Sequence, residues 1–333
     1  MPMKKNFISF LISLIIISFI CTGPSPFAAK TNKNHPHKKQ QAREASPRRK
    51  SKVSRQALQP LTRNPYLGAI VIDAATNKVL FEDNADTKGY PASVVKLMNF
   101  LIVLEALEAK EITLQDKITI SADVAKIGGS QVYLKEHEVY TVDDLMYALM
   151  VQSANDAAVA LALHHAGSKD EFIKRMNTRA QELGMNDTAF YSVHGLPPEK
   201  GNMPDISTPR DITKLCREVL KHPIALQYTS TKKRLFRTGA QPFIMRNHNH
   251  LVSNFEGCDG LKTGYFRAAG FSIAATATKN GKRAIAVIFG SVERRVRDAK
   301  ARKLLKESLL EMEANLTPSR ASAANEGTGI LNE

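Results

Sequence analysis

Cysteine is scarce. Three residues in a chain of 333 cannot supply the disulfide framework of a small secreted scaffold. If Cys21 departs with an N-terminal segment, Cys216 and Cys258 remain, and they fit either one bridge or two small core residues. Beyond the N-terminus, no stretch approaches the ~20 apolar residues that a membrane-spanning helix needs. The chain has no internal repeat, and no cluster with metal-ligand spacing. His248 and His250 alternate as a zinc pair could but lack further ligands, and His164-His165 reads as the end of a helix, so neither a metal nor any other cofactor is expected. Acids are almost missing from residues 30–55, where Glu44 stands alone against ten Lys or Arg.

What is present is enough for a real core: 43% of the residues are hydrophobic, which excludes a disordered chain. Lys4 and Lys5 precede an apolar run from Phe7 to Ile20, followed by Gly23, Pro24 and Ala28-Ala29. That pattern is an export signal, either cleaved or retained as an anchor, and Ile20 before Cys21 argues against a lipoprotein site. The basic stretch that follows is a linker, and it accounts for most of the net charge of +15. Its surplus is +9 and the two N-terminal lysines add +2, so the folded part is only mildly basic. In an exported chain such a linker suits anionic headgroups or wall polymers, so no nucleic-acid partner is expected. The expected compartment is the periplasm or cell envelope.

Taken in order, Leu67–Asp73 and Val79–Asn84 read as a hairpin, and a helix rich in apolar residues runs from Ser93 to about Lys110. Thr113–Ile120 is a short extended piece, and Gly128-Gly129-Ser130 a loop. Thr141 with Asp144 forms a capping box for a helix from Val142 to Met150. A second helix covers Ala157–Ala166, with Ser153 and Asn155 on the connection between them. Ser168 opens a third helix, which Gly184 ends; residues 191–206 are loop; and Thr208-Pro209 opens a fourth. The pattern then turns to strands at 234–238, 243–246, 261–266, 271–278 and 283–290, with a hairpin at Asn280-Gly281 and a last helix from about Arg295 to Glu311. Early strands, a helical middle and late strands predict one α/β (α+β) core whose sheet gathers strands from both ends, with a cleft against the helical block.

From Val94 to Leu104 only Lys96 and Asn99 are polar, so this helix should be packed on most sides, and a lysine within it is expensive. Ser93 and Lys96 are three apart, a hydroxyl beside an amine on one face. Taken alone, the pair reads better as an N-cap serine and a lysine that snorkels to water. Two more triplets follow in order: Ser153-Ala154-Asn155 on a helix connection and Lys262-Thr263-Gly264 on a strand. Serine-x-x-lysine, serine-x-asparagine and lysine-threonine-glycine together are the signature of class A β-lactamases and penicillin-binding proteins.

From about Asn64 to Leu305 the chain resembles the D-alanyl-D-alanine carboxypeptidases, the low-molecular-weight penicillin-binding proteins of serine peptidase family S11. Pro91-Ala92-Ser93, Gly128-Gly129-Ser130, His194-Gly195-Leu196, the run Gly257–Tyr265 and Ala269-Gly270 carry the likeness alongside the three triplets. The resemblance implies the penicillin-recognising, β-lactamase-like fold: a five-stranded antiparallel sheet flanked by helices, with a helical subdomain. It also implies that Ser93 attacks the penultimate D-Ala of a peptidoglycan stem peptide, and that β-lactams act as covalent inhibitors at the same serine. Lys96 can take the serine proton only when neutral, which burial and the nearby cation Lys262 would favour. By the same resemblance Ser153 relays a proton to the leaving amine, Asn155 holds the substrate amide, and Lys262 with Thr263 addresses the terminal carboxylate. The backbone N–H groups of Ser93 and Tyr265 are the implied oxyanion hole, with Gly264 leaving room for the approach. Arg297 matches the family arginine that binds the free carboxylate, although Arg294, Arg295 and Arg297 also read as a solvated face.

The expected organisation is an export signal or anchor over 1–29, a basic linker over 30–57, a catalytic domain over 58–312 and a tail over 313–333. With so short a tail, any membrane attachment is expected at the N-terminal end. Three rival functions use parts of the same evidence. A β-lactamase needs a second base, and the surroundings of Glu199 do not match that motif, while Ser153-Ala154-Asn155 lacks its central aspartate. A D,D-endopeptidase would use the same residues on cross-links. A non-catalytic envelope adaptor would leave the full catalytic set unexplained.

Overall fold

A computed structural model describes residues 58–199, 201–238 and 242–314 of the chain. The expected export segment and basic linker, and all but the first two residues of the expected tail, lie outside the described residues.

The N-terminal hairpin pairs β1 (Gly68–Asp73) with β2 (Val79–Asp83). A 3-10 turn over Ala92–Val95 then leads directly into α1 (Lys96–Glu108). The helical block follows: β3 (Lys117–Thr119), α2 (Ala122–Ala125), β4 (Val139–Thr141), α3 (Val142–Val151), α4 (Asn155–Ala166), α5 (Lys169–Glu182) and α6 (Pro209–Val219). After α7 (Ala225–Thr229), β5 (Lys233–Arg237) and β6 (Phe243–Arg246) form a separate hairpin, followed by α8 (Leu251–Asn254). The described residues close with β7 (Cys258–Phe266), β8 (Gly270–Lys279), β9 (Lys282–Ser291) and α9 (Arg294–Ala314). None of the described helices is long and apolar enough to cross a membrane.

The main sheet has the antiparallel order β2-β1-β9-β8-β7, so strands from the two ends of the chain meet where β1 pairs with β9. Side-chain alternation explains why both of its faces are buried. Ile70, Ile72, Ile285, Val287 and Phe289 face the helical block. Their neighbours Ala69, Val71, Ala275, Ala284, Ala286 and Ile288 face α9, which answers with Ala301, Leu305 and Leu309. The helix continues beyond the expected boundary at 312 because its end is pinned: Met312 is buried, and Lys279 donates to Glu313 at 2.7 Å.

The caps read from the sequence are present. Thr141, Ser168 and Thr208 each accept a backbone N–H from the residue three positions on, at 3.0 to 3.1 Å. The central helix, α1, packs on α3, α4, α5, α6 and β7, and every residue from Lys96 to Leu104 is buried. Each large apolar side chain so buried contributes about 1.5–3 kcal/mol, which fixes where Lys96 must sit. Asn99 is accommodated by donating to the carbonyls of Ala158 and Val193, each at 3.1 Å.

Candidate active site

The first wall of the site is the turn before α1. Ala92 is in the left-handed region with φ 50°, and Ser93 follows it inside the 3-10 turn, half-buried. Ser93 is therefore not an N-cap: its side chain caps neither the turn nor α1. Nor does Lys96 snorkel to water, since its exposure is 0%. The apolar core around α1 holds its stem, and its amine meets three oxygens: Asn155 Oδ1 at 2.6 Å, the His194 carbonyl at 2.7 Å and Ser93 Oγ at 3.1 Å.

The second wall is the junction of α3 and α4. Ser153 has φ 59°, a strained conformation that costs on the order of 1 kcal/mol, and it lies just before Asn155, the first residue of α4. Asn155 belongs to the helix rather than the connection, and both ends of its amide are engaged. It accepts from Lys96 and donates to the Gly128 carbonyl at 2.8 Å. Its backbone N–H donates to the Ser130 carbonyl, so the Gly128-Gly129-Ser130 loop is tied to the site. Gly129 is required there, since its φ is 81° and a Cβ would stand 2.6 Å from Asn155 Nδ2.

The third wall is β7, the edge strand against which the Ser93 turn packs. Lys262 is 1% exposed and donates to Ser153 Oγ at 2.9 Å and to the Thr263 carbonyl at 3.0 Å, joining sheet to helical block. A Cβ on Gly264 would collide with the Pro91 carbonyl and come within 3.0 Å of the Ser93 nitrogen. Tyr265 projects at the rim, stacked on Phe271 at 4.1 Å between centroids. Arg297 is 2% exposed, so it is not part of a solvated face. It donates twice to Asp298 Oδ1, at 2.9 and 2.6 Å, and once to the Ser272 carbonyl at 3.1 Å.

These walls enclose a cleft of about 380 Å³ whose lining includes Ser93, Ser153, Asn155, Thr263, Gly264, Tyr265 and Arg297. Lys96 and Lys262 lie beneath it. Among the described residues no carboxylate lines the cleft, and no three metal-binding side chains converge anywhere. Burial, followed by the positive charge of Lys262, drives the pKa of Lys96 well below the lysine range. Burial and Arg297 bring Lys262 down to about 7. Cys216 and Cys258 are both buried and unbonded, the core reading rather than the bridge.

Several contributors have parts that the side-chain motifs do not state, although His194-Gly195-Leu196 carried some of the likeness. The His194 carbonyl on Lys96 is a backbone group that any residue could supply. Its loop is held by Asp205, which accepts from the N–H groups of Tyr191 and Ser192 at 2.6 and 2.9 Å and from Ser192 Oγ at 2.6 Å. Gly195 has φ 81°, and a Cβ there would collide with the Ala92 carbonyl and reach 3.0 Å from the Ser93 nitrogen. His248 and His250 line the cleft as well, on a loop tied by Asn247 to Thr229 and by Asn249 to the Gly260 carbonyl. The only sequence cue to them was the His-x-His alternation, which points to a metal and not to a cleft wall.

Sheet, helical block and a serine paired with a buried lysine fit one class, the serine acyl-transfer enzymes in which a lysine stands beside the serine where others have histidine. Residues 66–293 match the family model of the S11 peptidases, D-alanyl-D-alanine carboxypeptidases, and the chain belongs to this family. It is 33% identical over 304 residues to the D-alanyl-D-alanine carboxypeptidase DacF of Bacillus subtilis, covering 91% of this chain and 70% of that one. It is 37% identical over 245 residues to DacC of Escherichia coli, covering 71% of this chain and 59% of that protein's length. Penicillin-binding protein D2 from Listeria monocytogenes, in its ampicillin-bound form, matches with a TM-score of 0.65 at 30% identity, covering 74% of this chain and 98% of that one. The penicillin-recognising fold expected from the sequence is thus the fold observed.

Proposed function

We propose that the cleft removes the terminal D-alanine from peptidoglycan pentapeptide stems through an acyl-enzyme on Ser93, and that β-lactams acylate the same oxygen. The observation that carries this reading is the three-way contact of Lys96. A neutral amine has two N–H donors and one lone pair. The two shortest contacts, to Asn155 Oδ1 and the His194 carbonyl, are with pure acceptors and use both donors. The lone pair is left facing Ser93 Oγ at 3.1 Å, where it receives the hydroxyl proton.

As that proton moves to Lys96, Ser93 Oγ bonds to the carbonyl carbon of the penultimate D-Ala. The backbone N–H groups of Ser93 and Tyr265 receive the oxyanion. Ser153, hydrogen-bonded to Lys262, passes its proton to the leaving amine as the C–N bond breaks, the proton that Lys96 took from Ser93 replaces it, and D-alanine departs. Water then attacks the ester and restores Ser93. Lys262, Thr263 and Arg297 address the terminal carboxylate, Arg297 chiefly through its positive charge at the cleft wall, since its three nitrogens are already bonded to Asp298 and the Ser272 carbonyl. Asn155 acts chiefly by holding Lys96, since both ends of its amide are already occupied. The absence of a lining carboxylate among the described residues leaves a β-lactam adduct without the second base of a class A β-lactamase, which favours slow release. The chain works in the cell envelope, with the basic linker holding an anionic membrane or wall surface.

Incubating the purified chain with penicillin is expected to add one covalent group at Ser93, and Ser93→Ala to abolish it. Labelling that survives the substitution sinks the assignment. Turnover of a D-Ala-D-Ala pentapeptide, a cross-linked dimer and a β-lactam separates carboxypeptidase, endopeptidase and β-lactamase.

A further inference from the structure

The reaction leaves one cation of the cleft without a task. Arg294, the first residue of α9, lines the cleft three residues before Arg297, is exposed, and has no ion-pair or hydrogen-bond partner among the described residues. Arg297 is differently placed, buried and already bonded to Asp298 and the Ser272 carbonyl. Around this end stand Lys262, Arg297 and Arg294, with His248 and His250 on the facing loop. The acids near them are Asp298, which is bound to Arg297, and the exposed Glu293. Burial and the cations around it bring His248 down to about 4, so it adds no charge at neutral pH.

Unbalanced positive charge of this kind is tolerated because Arg294 stands in water, and it turns favourable when anions enter. A single terminal carboxylate is already matched by Lys262, Thr263 and Arg297. Positions three apart on a helix are about 5–6 Å apart at Cβ, close to the spacing of the two carboxylates of an extended acidic amino acid.

We propose that Arg294 is a specificity-determining residue that pairs with a second carboxylate on the leaving group, so that among leaving groups larger than D-alanine those with an acidic side chain are preferred. This rests on the acyl-transfer reading of the same cleft and selects among its substrates.

The test compares kcat/KM for two peptides with the same acyl part, one ending in D-alanyl-D-glutamate and the other in D-alanyl-D-glutamine. The full chain should favour the glutamate peptide by about fivefold, the upper range for an exposed ion pair. Arg294→Gln should bring the ratio to about one, Arg294→Glu should invert it, and Arg294→Lys should recover part of it. High salt should shrink the wild-type preference. A wild-type ratio of one, or a ratio that survives Arg294→Gln, overturns the proposal. If neither peptide is cleaved while penicillin still labels Ser93, the subsite alone is overturned; if labelling fails too, the acyl-transfer reading falls with it.

Discussion

Replacing Gly195 with alanine tests whether the loop above Ser93 is part of the catalytic geometry. At φ 81° an alanine costs roughly 1–2 kcal/mol in backbone strain. Its Cβ would collide with the Ala92 carbonyl and reach 3.0 Å from the Ser93 nitrogen, and both are backbone atoms that cannot rotate aside. Overpacking of this kind adds about 1–3 kcal/mol, so the variant should lose about 2–5 kcal/mol in all. Relief requires the loop or the serine turn to move. The loop carries the His194 carbonyl to Lys96 at 2.7 Å, and the turn carries Ser93, the proposed nucleophile. A displacement on the order of 1 Å costs about 10²-fold in rate. Gly167→Ala is the control, with φ 73° and nothing within 4 Å of the added Cβ. It should lose only about 1–2 kcal/mol and keep its acylation rate. Stopped-flow acylation by a chromogenic cephalosporin, with thermal melts of both variants, measures the two quantities separately. If Gly195→Ala acylates within about threefold of wild type, the loop is packing and not part of the catalytic geometry.

The pH profile tests the charge on Lys96. Its pKa is depressed, so the neutral base is lost as pH falls through that value, and the acid limb of acylation should lie below the ordinary lysine range. Removing the charge of Lys262 by Lys262→Met should move the limb to higher pH. Asp205→Asn, which removes a carboxylate that favours protonated Lys96, should move it lower. A limb that responds to neither variant belongs to another group. Peptide kcat/KM should fall again above about pH 7, where Lys262 loses its proton and its pull on the substrate carboxylate. Thiol reductant should leave the melting temperature unchanged, because Cys216 and Cys258 are unbonded; a drop would mean that a disulfide forms.

What could be read from the sequence shares one property: it is carried by side-chain type at a fixed spacing. The capping residues Thr141, Ser168 and Thr208 name helix starts because an oxygen must face a free N–H. Asn280-Gly281 names the β8–β9 turn because both residues take positive φ. Ser93, Lys96, Ser153 and Lys262 stand out because hydroxyls and amines are costly inside apolar elements unless they meet. What could not be read is carried by the backbone or by long-range packing. The 3-10 turn at Ser93 looks like the first turn of α1, and only Gly264 and Gly195 pressing on it from two sides account for Ala92 at φ 50°. The four- and five-residue helices α2, α7 and α8 are too short to carry a period, and tertiary contact decides them. Asn155 is the instructive case. Its type and position mark it as a site residue, yet a free amide would serve substrate and a bound one serves Lys96, and only coordinates distinguish the two. The Lys96 amine is thus held by a side chain that the motif names and by the His194 backbone carbonyl, whose part no side chain of the His194-Gly195-Leu196 motif declares. Substitutions at Asn155 and Gly195 should therefore damage the same step.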